Sequence, residues 1–236
     1  MTHPNPQLSW IVSLYLNGSY ADEVVRRTAA AAELLGLESE IIFVDDRCPE
    51  ESGRQAESAL ISRPAVRGRV LFLPVNRGQD AAIREGLRIC RGSHAMVVDG
   101  DLQDPPEMLA ALWSAMQRTE VDVVFAARHG NYESADRLAT SRIFRKTMEW
   151  VGGLPPQAGA CALLNRRAIA SVTATLGERP SFLATLAAAR LNSVSVSVQR
   201  DVRSDRRSAY GEWARLGRAL HAIAQTVRGR WFRIPL

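Results

Sequence analysis

The chain has 236 residues, enough to bury the core of one α/β domain, and its 46% hydrophobic and 23% charged residues exclude a disordered or fibrous protein. The net charge of +5 conceals a division: residues 1–125 hold 12 basic and 18 acidic side chains and residues 126–236 hold 18 and 7, so the halves carry −6 and +11. A basic C-terminal half suggests a phosphate-bearing partner, although 29 of the 30 basic residues are Arg, a skew that GC-rich coding also produces.

In chain order, apolar β-branched segments alternate with stretches of helical period. Strands are expected at Trp10–Tyr15, Glu40–Asp45, Arg69–Pro74, Ala95–Asp99 and Val121–Ala126, with helices over about 20–35, 50–62, 79–90 and 105–118 between them. Strands that read as continuous apolar runs are covered on both faces, so the alternation implies a mostly parallel sheet whose ligands bind beyond the carboxyl ends of the strands. Three of these strands end in polar residues: Tyr15 with Asn17, Asp45 with Asp46, and Asp99 with Asp101. Beyond residue 127 the pattern loosens into a helix over about 136–150, a Gly/Pro break, a helix from Arg166 and a strand over 193–200. The last segment, Tyr210 to Arg230, spaces Trp213, Leu216, Leu220, Ile223 and Val227 as a basic amphipathic helix, suited to docking on the domain or lying on an anionic membrane.

Cys48, Cys90 and Cys161 form no CxxC pair, so neither a disulfide framework nor a cysteine zinc site is indicated, and the thiols read as reduced and cytosolic. The N-terminus lacks the features of a signal peptide, and no uncharged apolar run reaches 18 residues. The expectation is a cytoplasmic protein whose membrane contact is peripheral.

The sharpest motif is Asp99-Gly100-Asp101-Leu102-Gln103-Asp104-Pro105-Pro106-Glu107, directly after a buried strand. Two carboxylates flanking one glycine can face a cleft together while the backbone between them approaches a ligand closely. Such a pair suits a hard divalent cation, Mg²⁺ or Mn²⁺, that keeps coordination positions for phosphate oxygens.

DGDLQDPPE resembles the DADLQDPPE signature of family 2 glycosyltransferases, in particular the branch of dolichol- and polyprenol-phosphate sugar synthases. IVSLYLN is similar to the family's VVPVYNE start, IIFVDDRCPEES to IIFVDDGSTDGT, and PVNRGQDAAIREGLRICRG to SRNFGQHAALLAGLDHARG. LPPQAGACALLNRRAI is similar to LPPDAGDFRLLSRRVV, and RSDRRSAY to the RxxGxSxY stretch, so the resemblance covers roughly residues 9–225. It implies a GT-A fold, a Rossmann-like mostly parallel sheet flanked by helices, over residues 1–210, with a nucleotide-sugar half of about 1–125, an acceptor half of about 126–210 and a C-terminal amphipathic helix over 211–236.

The same resemblance implies roles. Ser13, Leu14, Tyr15 and Asn17 would line the base and ribose, Asp45 or Asp46 would accept hydrogen bonds from the base, and Asn76, Gly78 and Gln79 would close the pocket. Asp99 and Gly100 would meet the nucleotide, and Asp99, Asp101 and Gln103 would bind the metal. Arg128, Arg137, Ser141, Arg203, Ser208 and Tyr210 would gather the phosphate of a polyprenyl phosphate, for which the guanidinium fork is well suited. Asp99, Asp101, Arg128 and Arg203 are the expected catalytic set.

Departures bear on the acceptor. The family's acidic pair and Arg in DAGDFR are replaced by Gln157-Ala158-Gly159-Ala160-Cys161-Ala162, its first Pro by Ser13, and the Gly of RxxGxSxY by Arg206. A hydroxyl acceptor needs a general base, whereas a phosphate monoester with a second pKa of about 6 is already largely ionised at pH 7. The leading expectation is therefore an inverting, metal-dependent transferase moving sugar from a UDP or GDP donor to polyprenyl phosphate at the inner membrane face. The alternatives are a family 2 enzyme acting on a saccharide hydroxyl in surface polysaccharide synthesis, or a nucleotide-sugar-binding homologue with little turnover. An acidic DGD cleft disfavours nucleic acid as a partner.

Overall fold

A computed structural model describes residues 5–129 (128 and 129 as backbone), 149–150, 152–155, 157–174, 181–199, 224 and 226. Among the described residues seven strands form one sheet: β1 (Leu8–Leu14), β2 (Ser39–Asp45), β3 (Gly68–Phe72), β4 (His94–Asp99), β5 (Val123–His129), β6 (Ala162–Asn165) and β7 (Ser193–Gln199), in the order β3-β2-β1-β4-β6-β5-β7. Every pairing is parallel except those of β6, which runs antiparallel to both β4 and β5.

The helices are α1 (Ala21–Glu33), α2 (Ser52–Ile61), α3 (Gln79–Ile89), α4 (Leu109–Thr119), α5 (Arg166–Ala174) and α6 (Phe182–Ala188), with 3-10 turns at Gly18–Tyr20 and Pro106–Met108. Alternation along the strands sorts the apolar side chains into two layers. Leu8, Trp10, Val12 and Leu14 of β1 and Ile41 and Phe43 of β2 pack with α1, α2 and α4. Ile11, Ile42, Val44 and Val97 pack on the other face with α3, α5 and α6. Burial on both faces is why these strands read as unbroken apolar runs.

The five expected strands and four helices of the first half are present within a few residues, and the expected strand over 193–200 is β7. The helix over 105–118 begins instead as a 3-10 turn before α4. Two elements are additions to the expected pattern, β6 and α6. Nearly all of the C-terminal helix over 211–236 and of the helix over 136–150 lies outside the described residues.

At the amino end of the strands the buried Glu40 carboxylate ties the sheet to its flanking loops. It accepts the Ser9 hydroxyl at 2.7 Å, the Arg91 N–H at 2.7 Å and the Arg69 guanidinium at 2.6 Å. Burial alone would push this carboxyl up, but the three donors outweigh it and hold the group below its ordinary range. Support at this end leaves the carboxyl edge to build a site.

Candidate active site

The register of the sheet brings the polar strand ends together. Ser13 lies opposite Asp99 across β1 and β4, and Leu14 lies opposite Asp45 across β1 and β2. The Ser13 hydroxyl is 3.5 Å from Asp99 Oδ1, and the Gln79 side-chain amide donates to the same oxygen from the start of α3. Where the family has Pro, Ser13 thus adds a hydroxyl facing the first carboxylate of the DGD motif.

Gly100 sits where no side chain fits. A Cβ there would lie 2.8 Å from Leu14 Cδ2, 2.9 Å from Asn17 Nδ2 and 3.1 Å from the Ser13 carbonyl oxygen. Its N–H donates to that carbonyl at 3.3 Å, holding the two aspartates at the end of β4 against β1. Asp101, half-buried, accepts the Gln103 N–H at 3.1 Å, and Leu102 between them has φ of +57°. Asp99, Asp101 and Gln103 are all partly open to solvent, as a metal and diphosphate site requires.

Asp45 and Asp46 are 3% and 2% exposed, and each holds a loop. Asp45 accepts the Cys48 N–H at 2.7 Å and the Gly53 N–H at 2.5 Å, while Asp46 accepts the Arg77 and Gly78 N–H groups at 2.7 Å each. Burial pushes the Asp46 carboxyl above the usual range, the charge of Asp45 adds to this, and the two N–H bonds oppose it. Through Gly78, φ +89°, Asp46 sets the entry of α3 and therefore the reach of Gln79 to Asp99. Asn76, in the same turn, is exposed.

Asn17 is buried; its side-chain oxygen accepts the Tyr15 N–H at 3.0 Å and its amide donates to the Ser13 carbonyl at 3.4 Å. Tyr15 and Ser13 are half-buried. Leu14 differs from expectation: its side chain is fully buried in the core layer and its carbonyl accepts the Asp46 N–H at 3.2 Å, so its side chain lies beneath the carboxyl edge rather than at it.

The loop before β6 reaches the same edge, because Ala162 lies opposite both Val97 of β4 and Phe125 of β5. Gln157 has φ of +61°, and its buried Oε1 has no hydrogen-bond partner among the described residues. Backbone strain gathers at this edge: Leu16, Arg47, Glu51, Leu102 and Gln157 all adopt left-handed φ, each costing an L-residue about 1–2 kcal/mol.

The expected acceptor residues Arg137, Ser141, Arg203, Ser208 and Tyr210 lie outside the described residues, and Arg128 is described only as backbone of β5. Three residues outside the expected nucleotide set, Cys48, Ser52 and Gly53, bond the loops around Asp45, and the glycine at 53, directly beside this carboxylate, is the signal that the sequence carries for them.

The sequence pattern of the family described as Glycosyl transferase family 2 matches residues 9–173. The chain belongs to that family. An undecaprenyl-phosphate 4-deoxy-4-formamido-L-arabinose transferase of Pseudomonas fluorescens is 32% identical over 188 residues, 78% of this chain and 54% of the relative. The counterpart from a second strain is 32% identical over 186 residues with the same coverage, so this family 2 glycosyltransferase spans about half the length of the curated relatives it matches.

Solved structures agree on the fold. A glucosyl-3-phosphoglycerate synthase of Mycobacterium tuberculosis, in complex with Mn²⁺, UDP and phosphoglyceric acid, superposes with a TM-score of 0.69 at 15% identity, covering 96% of this chain and 79% of that one. A mannosyltransferase of Pyrobaculum calidifontis with GDP-mannose and Mn²⁺ gives 0.64 at 12% identity, covering 96% and 70%. This family 2 enzyme therefore has the GT-A fold. Among the described residues no group of three or more His, Cys, Asp or Glu side chains is placed to hold a metal alone. Two carboxylates at a solvent-open strand end still fit a cation that takes its remaining ligands from water and substrate phosphates.

Proposed function

We propose that this family 2 glycosyltransferase transfers a sugar, with inversion, from a UDP or GDP donor to a polyprenyl phosphate. The observation that carries the reading is the convergence of Ser13, Gln79, Asp99 and the side-chain-excluding Gly100 at the carboxyl edge of β1 and β4. Ser13, Tyr15, Asn17, Asp45, Asp46, Asn76, Gly78 and Gln79 serve the nucleotide in the half before residue 125, with Leu14 beneath them. Asp99 and Asp101, with Gln103 beside them, hold Mg²⁺ or Mn²⁺, which when bound neutralises charge on the leaving diphosphate.

Gln79 and Ser13 orient Asp99, and the Gly100 N–H bond to Ser13 keeps both carboxylates at the strand end. A phosphate oxygen of the acceptor attacks the anomeric carbon from the face opposite the leaving group. The new C–O bond forms as the bond to the diphosphate breaks, and the nucleoside diphosphate departs. No proton need be removed from a phosphate dianion, which accords with the uncharged Gln157 and Ala160 in place of the family's acidic pair. Arg128, Arg137 and Arg203, with Ser141, Ser208 and Tyr210, hold the acceptor phosphate. The reaction then belongs at the cytosolic membrane face, with the basic segment over 211–236 in peripheral contact with anionic lipid.

The test is transfer of labelled sugar from a panel of UDP and GDP sugars to polyprenyl phosphate with Mg²⁺ or Mn²⁺ present. Label appearing in lipid supports the reading. Label confined to saccharide acceptors, or nucleotide binding without transfer, refutes it.

A further inference from the structure

Two small side chains hold the loop after β1 against the loop after β2. The Leu16 N–H donates to Cys48 Sγ at 3.2 Å, and the Gly18 N–H donates to Ser52 Oγ at 3.1 Å. The sulfur and the hydroxyl oxygen are themselves 3.1 Å apart, so the two stitches form one cluster. Cys48 also donates its own N–H to Asp45 Oδ1 at 2.7 Å, and Ser52 directly precedes Gly53, whose N–H binds the other oxygen of Asp45.

The backbone around this cluster does not rest in its preferred conformation. Leu16, Arg47 and Glu51 have φ of +59°, +56° and +53°, so neighbouring contacts must hold them there. The Leu16 N–H has the Cys48 sulfur as its acceptor, and Leu16 follows Tyr15 directly. A sulfur is a weak acceptor with a long bond, so this stitch is the softest part of the cluster.

We infer that Cys48 is a positioning residue of the donor site: its sulfur fixes the Tyr15–Gly18 loop against the Asp45 loop in the shape that receives the nucleotide base. The inference rests on the nucleotide-sugar reading above. It also makes the donor site sensitive to thiol chemistry, since Cys48 is half-buried whereas Cys90 and Cys161 are buried, and burial pushes the Cys90 thiol up and away from its reactive form.

The experiment measures UDP and GDP binding with Mn²⁺, together with donor and acceptor KM and kcat, for the wild-type chain, Cys48→Ala, Cys48→Ser and Ser52→Ala. Cys48→Ala removes one neutral hydrogen bond between loops and should raise the donor Kd and KM about three- to tenfold, with acceptor KM and kcat within about twofold. Cys48→Ser keeps an acceptor at that place and should recover most of the donor affinity. Ser52→Ala cuts the companion stitch and should show the same donor-only signature, which keeps the test decisive if Cys48→Ala folds poorly. Iodoacetamide, which forms an S–C bond at a thiolate and releases iodide, should modify one site in the wild-type chain, weaken donor binding, and be blocked by the nucleotide that binds.

Equal donor constants in wild type and both alanine variants overturn the inference while leaving the transferase reading intact. So does a parallel rise in donor and acceptor KM, which marks general loosening, or a serine variant no better than alanine. A wild-type chain that binds neither nucleotide overturns the transferase reading and this inference together.

Discussion

Replacing Gly100 with alanine adds one methyl group between the two carboxylates of the DGD motif. The new Cβ would stand 2.8 Å from Leu14 Cδ2, 2.9 Å from Asn17 Nδ2 and 3.1 Å from the Ser13 carbonyl oxygen. None of the three gives easily: Leu14 is fully buried, Asn17 is bonded to both Tyr15 and Ser13, and the carbonyl belongs to a central strand. The end of β4 must instead move away from β1, which stretches the 3.3 Å bond from Gly100 to Ser13. Overpacking of a tight site together with one weakened hydrogen bond amounts to about 2–4 kcal/mol. For a chain of this length that is a fall in Tm of about 4–15 °C. The same movement displaces Asp99 and Asp101, and misplacement approaching 1 Å costs up to about 100-fold in turnover. Thermal unfolding and sugar transfer measured side by side test both effects, with Gly159→Ala as the control, because no described residue lies within 4 Å of a Cβ at Gly159. If Gly100→Ala matches Gly159→Ala in both stability and turnover, the close-approach argument is wrong.

Asp101→Ala should abolish metal-dependent turnover while leaving the chain folded, since Asp101 is half-buried at a strand end and the bond it accepts from the Gln103 N–H is worth about 1 kcal/mol; retained transfer would remove Asp101 from the metal site. Arg203→Ala should raise the acceptor KM more than the donor KM in steady-state kinetics, and a change confined to the donor would move Arg203 to the other side of the reaction. Glu40→Gln should destabilise the fold by about 1–3 kcal/mol at neutral pH, because an amide group would face one of its three donors. The Glu40 carboxyl is held below its unfolded value, so its stabilisation is present above about pH 4.5 and is lost as pH falls through its folded value. The gap in Tm between wild type and Glu40→Gln should therefore shrink from pH 6 to pH 3, and a constant gap would contradict the linkage.

The donor side of the sheet was legible because burial on both faces leaves a continuous apolar string, as in Ile41 to Val44, and each string ends in residues that sit at the carboxyl edge. β6 escaped because its four residues carry no period, and its strand character comes from pairing with β4 and β5 on either side. α6 escaped for a related reason. Ser181 at its N-cap makes no side-chain cap bond, and the Phe182 N–H is satisfied by Asp80 Oδ1 at 3.1 Å, from a helix far earlier in the chain. The identities of Asp45 and Asp46 were legible, but their division of labour was not: which loop each carboxylate holds depends on how α2 and α3 return to the sheet. The Cys48–Leu16 stitch was invisible for the same reason, since it joins residues of two loops that meet only after β1 and β2 have paired.

The reversed direction of β6 has an evolutionary consequence. β1, β2, β3 and β4 each deliver their edge loop into a helix that must pack back on the sheet, so the loops carrying Asn17, Asp46 and Asp101 are constrained in length at both ends. β6 receives its edge loop from upstream and leads away from the edge into α5, and the stretch from Gln157 to Cys161 bonds to the sheet at its end, where the Cys161 carbonyl accepts the Ala126 N–H at 3.1 Å and Ala162 lies opposite Val97 and Phe125. Substitution there leaves the crossovers of the donor half untouched. That segment is one in which this chain departs from its family's pattern, and the topology lets it change while the crossovers before β4 keep their lengths.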